Sequence, residues 1–174
     1  MNNEIIRSNS SLSLNSISIL PFLLRPCLIV TEVPKRAPGQ TTALELRTPK
    51  MPVVRVGFVG LGMRGPGAVA RWMHIPGIEV VALCDYEAKR AEACQKILRD
   101  NSMPAAAIYS GEEGYKELCK RKDIDLVYIA TDWDHHFLVA KCAMENGKHA
   151  AIEVPSAINL REIWTLIDLS EKTR

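Results

Sequence analysis

From residue 53 onward, short apolar runs alternate with longer segments whose apolar residues recur every three or four positions. The runs 53–59, 79–84, 106–109, 125–130 and 148–154 have strand length, and their nearly continuous apolar character is that of strands covered on both faces. The segments between them have the helical period. They are 67–73, then 86–99 with Ala91, Cys94, Ile97 and Leu98, then 111–121 with Tyr115, Leu118 and Cys119. A fourth, 136–145, places Leu138, Val139, Cys142 and Ala143 on one face and stops at Asn146-Gly147. Asn159 caps a final helix holding Ile163, Trp164, Leu166, Ile167 and Leu169. Strands separated by helices, without hairpin turns, predict an α/β fold with one doubly wound, open parallel sheet over residues 51–174.

Residues 1–50 follow a different pattern: 9–18 are rich in Ser and Asn, 17–30 are apolar, and 31–50 are polar with several prolines. Pro21, Arg25 and Pro26 interrupt the apolar stretch, which is too broken to span a bilayer and lacks the form of an export signal. The expectation is a disordered leader or an atypical targeting segment on a cytoplasmic protein that does not engage membranes, with export of the full-length protein as the alternative. A net charge of +2, from 22 Lys and Arg against 20 Asp and Glu, gives no reason to expect nucleic acid as a partner. Five cysteines, Cys27, Cys84, Cys94, Cys119 and Cys142, show no metal-ligand spacing and read as free thiols.

The first strand runs directly into Gly60-Leu61-Gly62-Met63-Arg64-Gly65, a GxGxxG turn, and Pro66 suits the first turn of the helix that follows. A strand that turns sharply into a helix aims unpaired N–H groups and the positive end of the helix dipole at one point, which suits a diphosphate. Gly60 permits the turn, Gly62 admits close approach of the ligand, and Gly65 lets helix and strand pack closely. The second strand ends in Asp85, about 20 residues beyond, where a dinucleotide-binding unit places the carboxylate that holds the adenosine ribose. An Asp there favours NAD, whereas the extra phosphate of NADP would meet negative charge unless Lys89 or Arg90 offset it. The plainer reading is that Asp85 caps the helix beginning near Glu87.

Ligands of such sheets lie at the carboxyl ends of the strands, so 60–65, Asp85, 131–136 and 153–155 are expected to converge on one rim. Thr131, Trp133 and His136 belong to the polar, aromatic loop after the fourth strand, with the next helix starting at His136. Trp133 also fits a hydrophobic lid, and His136 packing at a helix start. Asp132 and Asp134 suit capping better than a catalytic pair, and the adjacent His135 and His136 splay apart, so no metal site is expected.

Gly60-x-Gly62-x-x-Gly65, Ala82-Leu83-Cys84-Asp85, Tyr128 to His136 and Gly147 to Pro155 together resemble the cofactor-binding half of the Gfo/Idh/MocA oxidoreductase family, over residues 53–174. The resemblance implies a Rossmann fold and NAD as cofactor. Most dehydrogenases of that family carry Glu-Lys-Pro after the fifth strand, where the lysine serves the hydroxyl being oxidised. Here the triplet is Glu153-Val154-Pro155, and a valine can neither donate a hydrogen bond nor hold a charge. GLGMRG, TDW and EVP resemble the glycoside hydrolase family 109 branch, whose NAD-dependent enzymes cleave a sugar by transient oxidation at C3, elimination and water addition, an exception to the usual pair of carboxylates. The resemblance places Met63 and Arg64 at the diphosphate, Asp85 at the ribose, Trp133 to His136 on the nicotinamide side, and Glu153 with Val154 at the inner edge.

The family's second domain, which supplies the walls for the carbohydrate substrate and the acid-base residues, has no room in 174 residues. The chain is therefore expected to be a truncated member that binds NAD without turning over sugar. An exposed face on the last helix is expected to drive self-association into a homo-oligomer. Two alternatives stand beside this reading: an NAD(P)-dependent sugar dehydrogenase and a non-catalytic nucleotide-binding or regulatory module.

Overall fold

The computed structural model describes residues 35–44 and 46–173; the greater part of the 1–50 leader therefore lies outside the described residues. Five strands and five helices alternate: β1 Val54–Val59, α1 Gly65–Trp72, β2 Ile78–Asp85, α2 Ala88–Asp100, β3 Ala107–Ser110, α3 Gly114–Lys120, β4 Leu126–Ile129, α4 Trp133–Glu145, β5 His149–Ile152 and α5 Leu160–Thr173. All strand pairs are parallel, in the order β3-β2-β1-β4-β5, so the chain builds outward from β1 in one direction and then returns to build in the other. That reversal, between β1 and β4, is the switch point at which a doubly wound sheet opens a crevice.

Strand periodicity sorts the core into two layers. Val56, Phe58, Leu83 and Tyr128 face one side and pack with Ala68 and Val69 of α1 and Ala91, Cys94 and Leu98 of α2. Val59, Ala82, Cys84, Val127 and Ile129 face the other and pack with Leu118 and Cys119 of α3 and Val139, Ala140 and Ala143 of α4. Gly57 belongs to this second layer, where a Cβ would lie 3.0 Å from Leu118 and 3.1 Å from Ile124. Phe58, Trp72 and Tyr128 form an aromatic cluster with ring centroids 5.1 to 5.8 Å apart.

At the amino ends of the strands, Asp125 takes two hydrogen bonds from the Arg55 guanidinium, at 2.7 and 3.0 Å, and a third from the Arg55 N–H at 2.8 Å. Residues ahead of β1 reach back to α5. Arg36 pairs with the buried Glu171 at 2.6 Å, and Gln40 donates to both Asp168 and Glu171 at 3.0 Å. The sequence reading anticipated no such contact. Among the described residues, no helix is long and apolar enough to cross a membrane, and no group of three or more potential ligand side chains could hold a metal.

Two helices start earlier than the periodicity predicts. α1 begins at Gly65 rather than residue 67, because Pro66 fits the first turn. α4 begins at Trp133 rather than His136, because Asp132 caps it and its Oδ1 accepts the His135 N–H at 3.1 Å. Trp133 and His136 are thus in a helical first turn and not in a loop. Cys84, Cys94 and Cys119 are buried free thiols, and Cys142 is half-buried.

Candidate functional site

Beyond the carboxyl ends of the strands lies a cavity of about 860 Å³, within the range of small-molecule and cofactor sites. Gly60, Gly62, Met63, Arg64, Asp85, Thr131, Trp133, His136, Glu153 and Val154 all border it. Gly65 does not; it lies buried beneath the arch. Cys84, Tyr86, Arg90 and Val139 also line it, with Gly111, Glu112 and Tyr115 from the end of β3 and the start of α3. The third strand ends at the same rim as the others, and that position was the available signal for its residues.

The glycines differ in what holds them. Gly60 has φ +90°, and a Cβ there would come within 2.4 Å of the Ala130 and Thr131 backbone. At Gly65 a Cβ would meet the Gly60 carbonyl at 2.2 Å. Gly62 has free space: its nearest neighbour would be an Arg90 nitrogen at 3.5 Å. The arch is therefore fixed from below at Gly60 and Gly65 and open toward the cavity at Gly62. No side chain caps α1 and no acidic residue sits in its first turn, which leaves the positive end of its dipole to an outside anion.

Asp85 is buried, and its carboxylate accepts the Leu61 N–H at 2.6 Å and the Glu87 N–H at 2.9 Å. It therefore serves the turn before α2 and also ties the glycine arch to β2. Arg90 stands 3.6 Å from Asp85 and 2.7 Å from Glu87, and Lys89 lies 2.6 Å from Glu87. Burial, reinforced by Asp85, pushes the Cys84 thiol up to about 12, so this thiol on the cavity wall is no nucleophile at neutral pH.

At the opposite end of the cavity the Tyr128 hydroxyl donates to Glu153. Burial first and Glu153 second push that hydroxyl up to about 12, which keeps it a donor. The sequence reading passed over Tyr128 because it sits inside an apolar strand. Burial pushes the Asp132 carboxyl up, yet the His135 ring at 2.7 Å and the His135 amide more than offset this and hold it below its ordinary value. The buried His136 donates from Nδ1 to the Pro155 carbonyl at 2.6 Å, joining α4 to the segment after β5. Met63 (94 % exposed), Trp133 (64 %) and Val154 (87 %) form an apolar rim at the mouth.

Residues 54–174 match the family model described as the oxidoreductase family, NAD-binding Rossmann fold (Gfo/Idh/MocA). The chain belongs to this family. Its relatives within the curated proteins include glycosyl hydrolase family 109 protein 5 of Phocaeicola vulgatus, 73% identical over 146 residues that cover 84% of this chain and 28% of that protein. Glycosyl hydrolase family 109 protein 1 of Bacteroides fragilis is 63% identical over 147 residues, 84% of this chain and 32% of that protein. The chain thus spans about three-tenths of the length of these relatives. Among solved structures it is similar to myo-inositol dehydrogenase from Lactobacillus casei in complex with NAD(H) and myo-inositol, with TM-score 0.60 and 29% identity over 70% of this chain and 34% of that one. This Gfo/Idh/MocA chain is an NAD-binding domain of the Rossmann type. The open face at Gly62, the uncapped α1 and the acidic end of β2 suit a dinucleotide.

Proposed function

We propose that this domain holds NAD for a glycosidase that works by reversible oxidation of its sugar. The observation that carries the reading is the glycine arch, anchored to Asp85 by the Leu61 amide, opening on a cavity of about 860 Å³ lined by residues at the ends of β2 and β5. Gly60, Gly62, Met63 and Arg64 form the diphosphate cradle, through main-chain amides, with Gly65 packed beneath it. Asp85 accepts from the adenosine ribose. Thr131, Trp133 and His136 flank the nicotinamide, and Glu153 with Val154 forms the inner edge. NAD held there would supply a hydride acceptor that gives the hydride back, so the reaction it serves need not consume cofactor.

Val154 favours the glycosidase reading over net dehydrogenation. At the mouth of the cavity it offers no proton and no charge, and relatives 63 and 73% identical carry the glycosyl hydrolase family 109 name. The groups that bind the sugar and move its protons are proposed to come from the part of those relatives that this chain does not span. The substrate class is a carbohydrate glycoside, and the exposed Ile163 and Ile167 on α5 provide an apolar face for self-association.

Calorimetry of the 174-residue chain with NAD should show one site per chain. With an aryl N-acetylgalactosaminide the same chain should release no phenol. The dehydrogenase reading draws on the likeness to myo-inositol dehydrogenase. It predicts that NADH accumulates with a free sugar, whereas the glycosidase cycle leaves the cofactor unchanged.

A further inference from the structure

Ahead of β1 the chain carries a preformed turn that grips α5. Ala37-Pro38-Gly39-Gln40 has Pro and Gly at its two central positions, Gly39 has φ +81°, and the Gln40 N–H donates to the Ala37 carbonyl at 3.1 Å. Gln40 Oε1 takes the Ala37 N–H at 3.0 Å, which leaves Nε2 to donate to Asp168 and Glu171, each at 3.0 Å. The neighbouring Arg36 pairs with Glu171 at 2.6 Å. The Glu171 side chain is 3% exposed and lies in the last turn of α5, where burial and the negative end of the helix dipole both disfavour a carboxylate. Among the described residues its ion-pair partner is Arg36, from outside the helix.

The other end of α5 is tied to the cavity rim. The Ile158 N–H donates to the Glu162 carboxylate at 3.1 Å, and the Glu162 N–H donates to Asn159 Oδ1 at 3.0 Å. These reciprocal bonds stitch the first turn of α5 to the segment 153–159, which begins with the cavity-lining Glu153 and Val154. The helix therefore runs about 20 Å between the rim and the turn at Gln40. A match over 146 residues of a 174-residue chain takes in residues 35–46, so this segment is shared with glycosyl hydrolase family 109 protein 5, whereas the general family model begins at residue 54.

We propose that residues 35–46 are a latch: closed on Glu171, they hold α5, and through it the rim segment 153–159, in the cofactor-binding position. The link to the cofactor rests on the NAD reading above. Opened, the latch leaves Glu171 without its cation and frees the end of α5 remote from the rim.

The test uses the 174-residue chain, with hydrogen exchange read by mass spectrometry and NAD binding read by calorimetry. The double variant Arg36→Ala, Gln40→Ala is expected to speed exchange of the α5 amides about tenfold, to leave α1 to α3 at the wild-type rate, and to weaken NAD binding about threefold or more. Glu171→Gln removes the charge from the helix side and is expected to reproduce both losses. Arg36→Lys keeps the cation and is expected to stay near the wild type in both. Exchange in α1 to α3 reports whether each variant folds, and should the double variant fail to fold, Arg36→Ala and Glu171→Gln still give the comparison. Unchanged α5 exchange in the strap variants overturns the latch. Faster α5 exchange with unchanged NAD affinity overturns its hold on the rim, as does a Lys variant as impaired as the Ala variants. Failure of the wild type to bind NAD overturns the NAD reading instead, and the exchange rates still judge the latch.

Discussion

The backbone N–H of Leu61 donates to Oδ2 of Asp85 at 2.6 Å, across 24 residues of sequence, and so fastens the glycine arch to the end of the neighbouring strand. The carboxylate assigned to the ribose thus also holds the diphosphate cradle in shape. Asp85→Ala is expected to act on both. The Leu61 and Glu87 amides lose a charged acceptor, and the melting temperature falls by an amount equivalent to about 2 kcal/mol. NAD affinity should fall roughly 10- to 100-fold, corresponding to about 1.5–3 kcal/mol for a charge-assisted contact. Calorimetry and thermal melting measure the two losses separately, and a variant that loses neither would refute the dual role.

The glycines of the arch should separate in the same two assays. Gly60→Ala and Gly65→Ala force a Cβ to within 2.4 and 2.2 Å of backbone atoms, and at Gly60 also require φ +90°, so both are expected to lose the folded state or most of its stability. Gly62→Ala meets nothing closer than 3.5 Å and should keep stability within about 1 kcal/mol. Its methyl group stands where the diphosphate would approach, so NAD binding should weaken about tenfold or more.

Cofactor choice depends on a local balance of charge. Asp85 and Glu87 face Arg90 and Lys89 at the end of the cavity assigned to the adenosine. With Asp85 in place, the chain should prefer NAD to NADP by about tenfold or more, since a phosphate beside a buried carboxylate is disfavoured. Asp85→Ser removes that charge and frees Arg90 for the phosphate, and the ratio of the two dissociation constants should narrow or invert. An unchanged ratio would show that Asp85 does not face the ribose.

Acid should weaken the fold from the side of the sheet remote from the cavity. The Arg121 guanidinium lowers the Asp123 carboxyl to about 2, and the Arg55 guanidinium holds Asp125 below its ordinary value. A carboxyl whose native value is depressed binds fewer protons folded than unfolded. Its contribution is present above its unfolded value of about 4 and is lost as pH falls from there toward 2. Urea midpoints at pH 5, 4, 3 and 2 should show the wild type losing stability across that window. At pH 5, Asp125→Asn should be about 2 kcal/mol less stable than the wild type, and the gap should close as pH falls.

Much of the fold was legible because strand and helix are written in local periodicity. The five apolar runs became β1 to β5, and GxGxxG between a strand and a helix became the arch. The structure adds what periodicity does not encode. The Asp132 cap drew Trp133 and His136 into a helix, Tyr128 turned out to hold Glu153, and the end of β3 joined the cavity through Gly111 and Tyr115.

The sequence by itself determined which segments are strands and helices, that a glycine turn joins the first strand to its helix, and that Asp85 ends the strand beside it. Those properties depend on residues a few positions apart. Only the tertiary structure decided that Asp85 grips Leu61, that His136 is locked by Pro155, and that Gly62 alone of the three motif glycines has room for a Cβ. Each of these depends on β2, β1, β4 and β5 lying side by side, an order fixed by burial of both sheet faces at once and by no single segment of the chain.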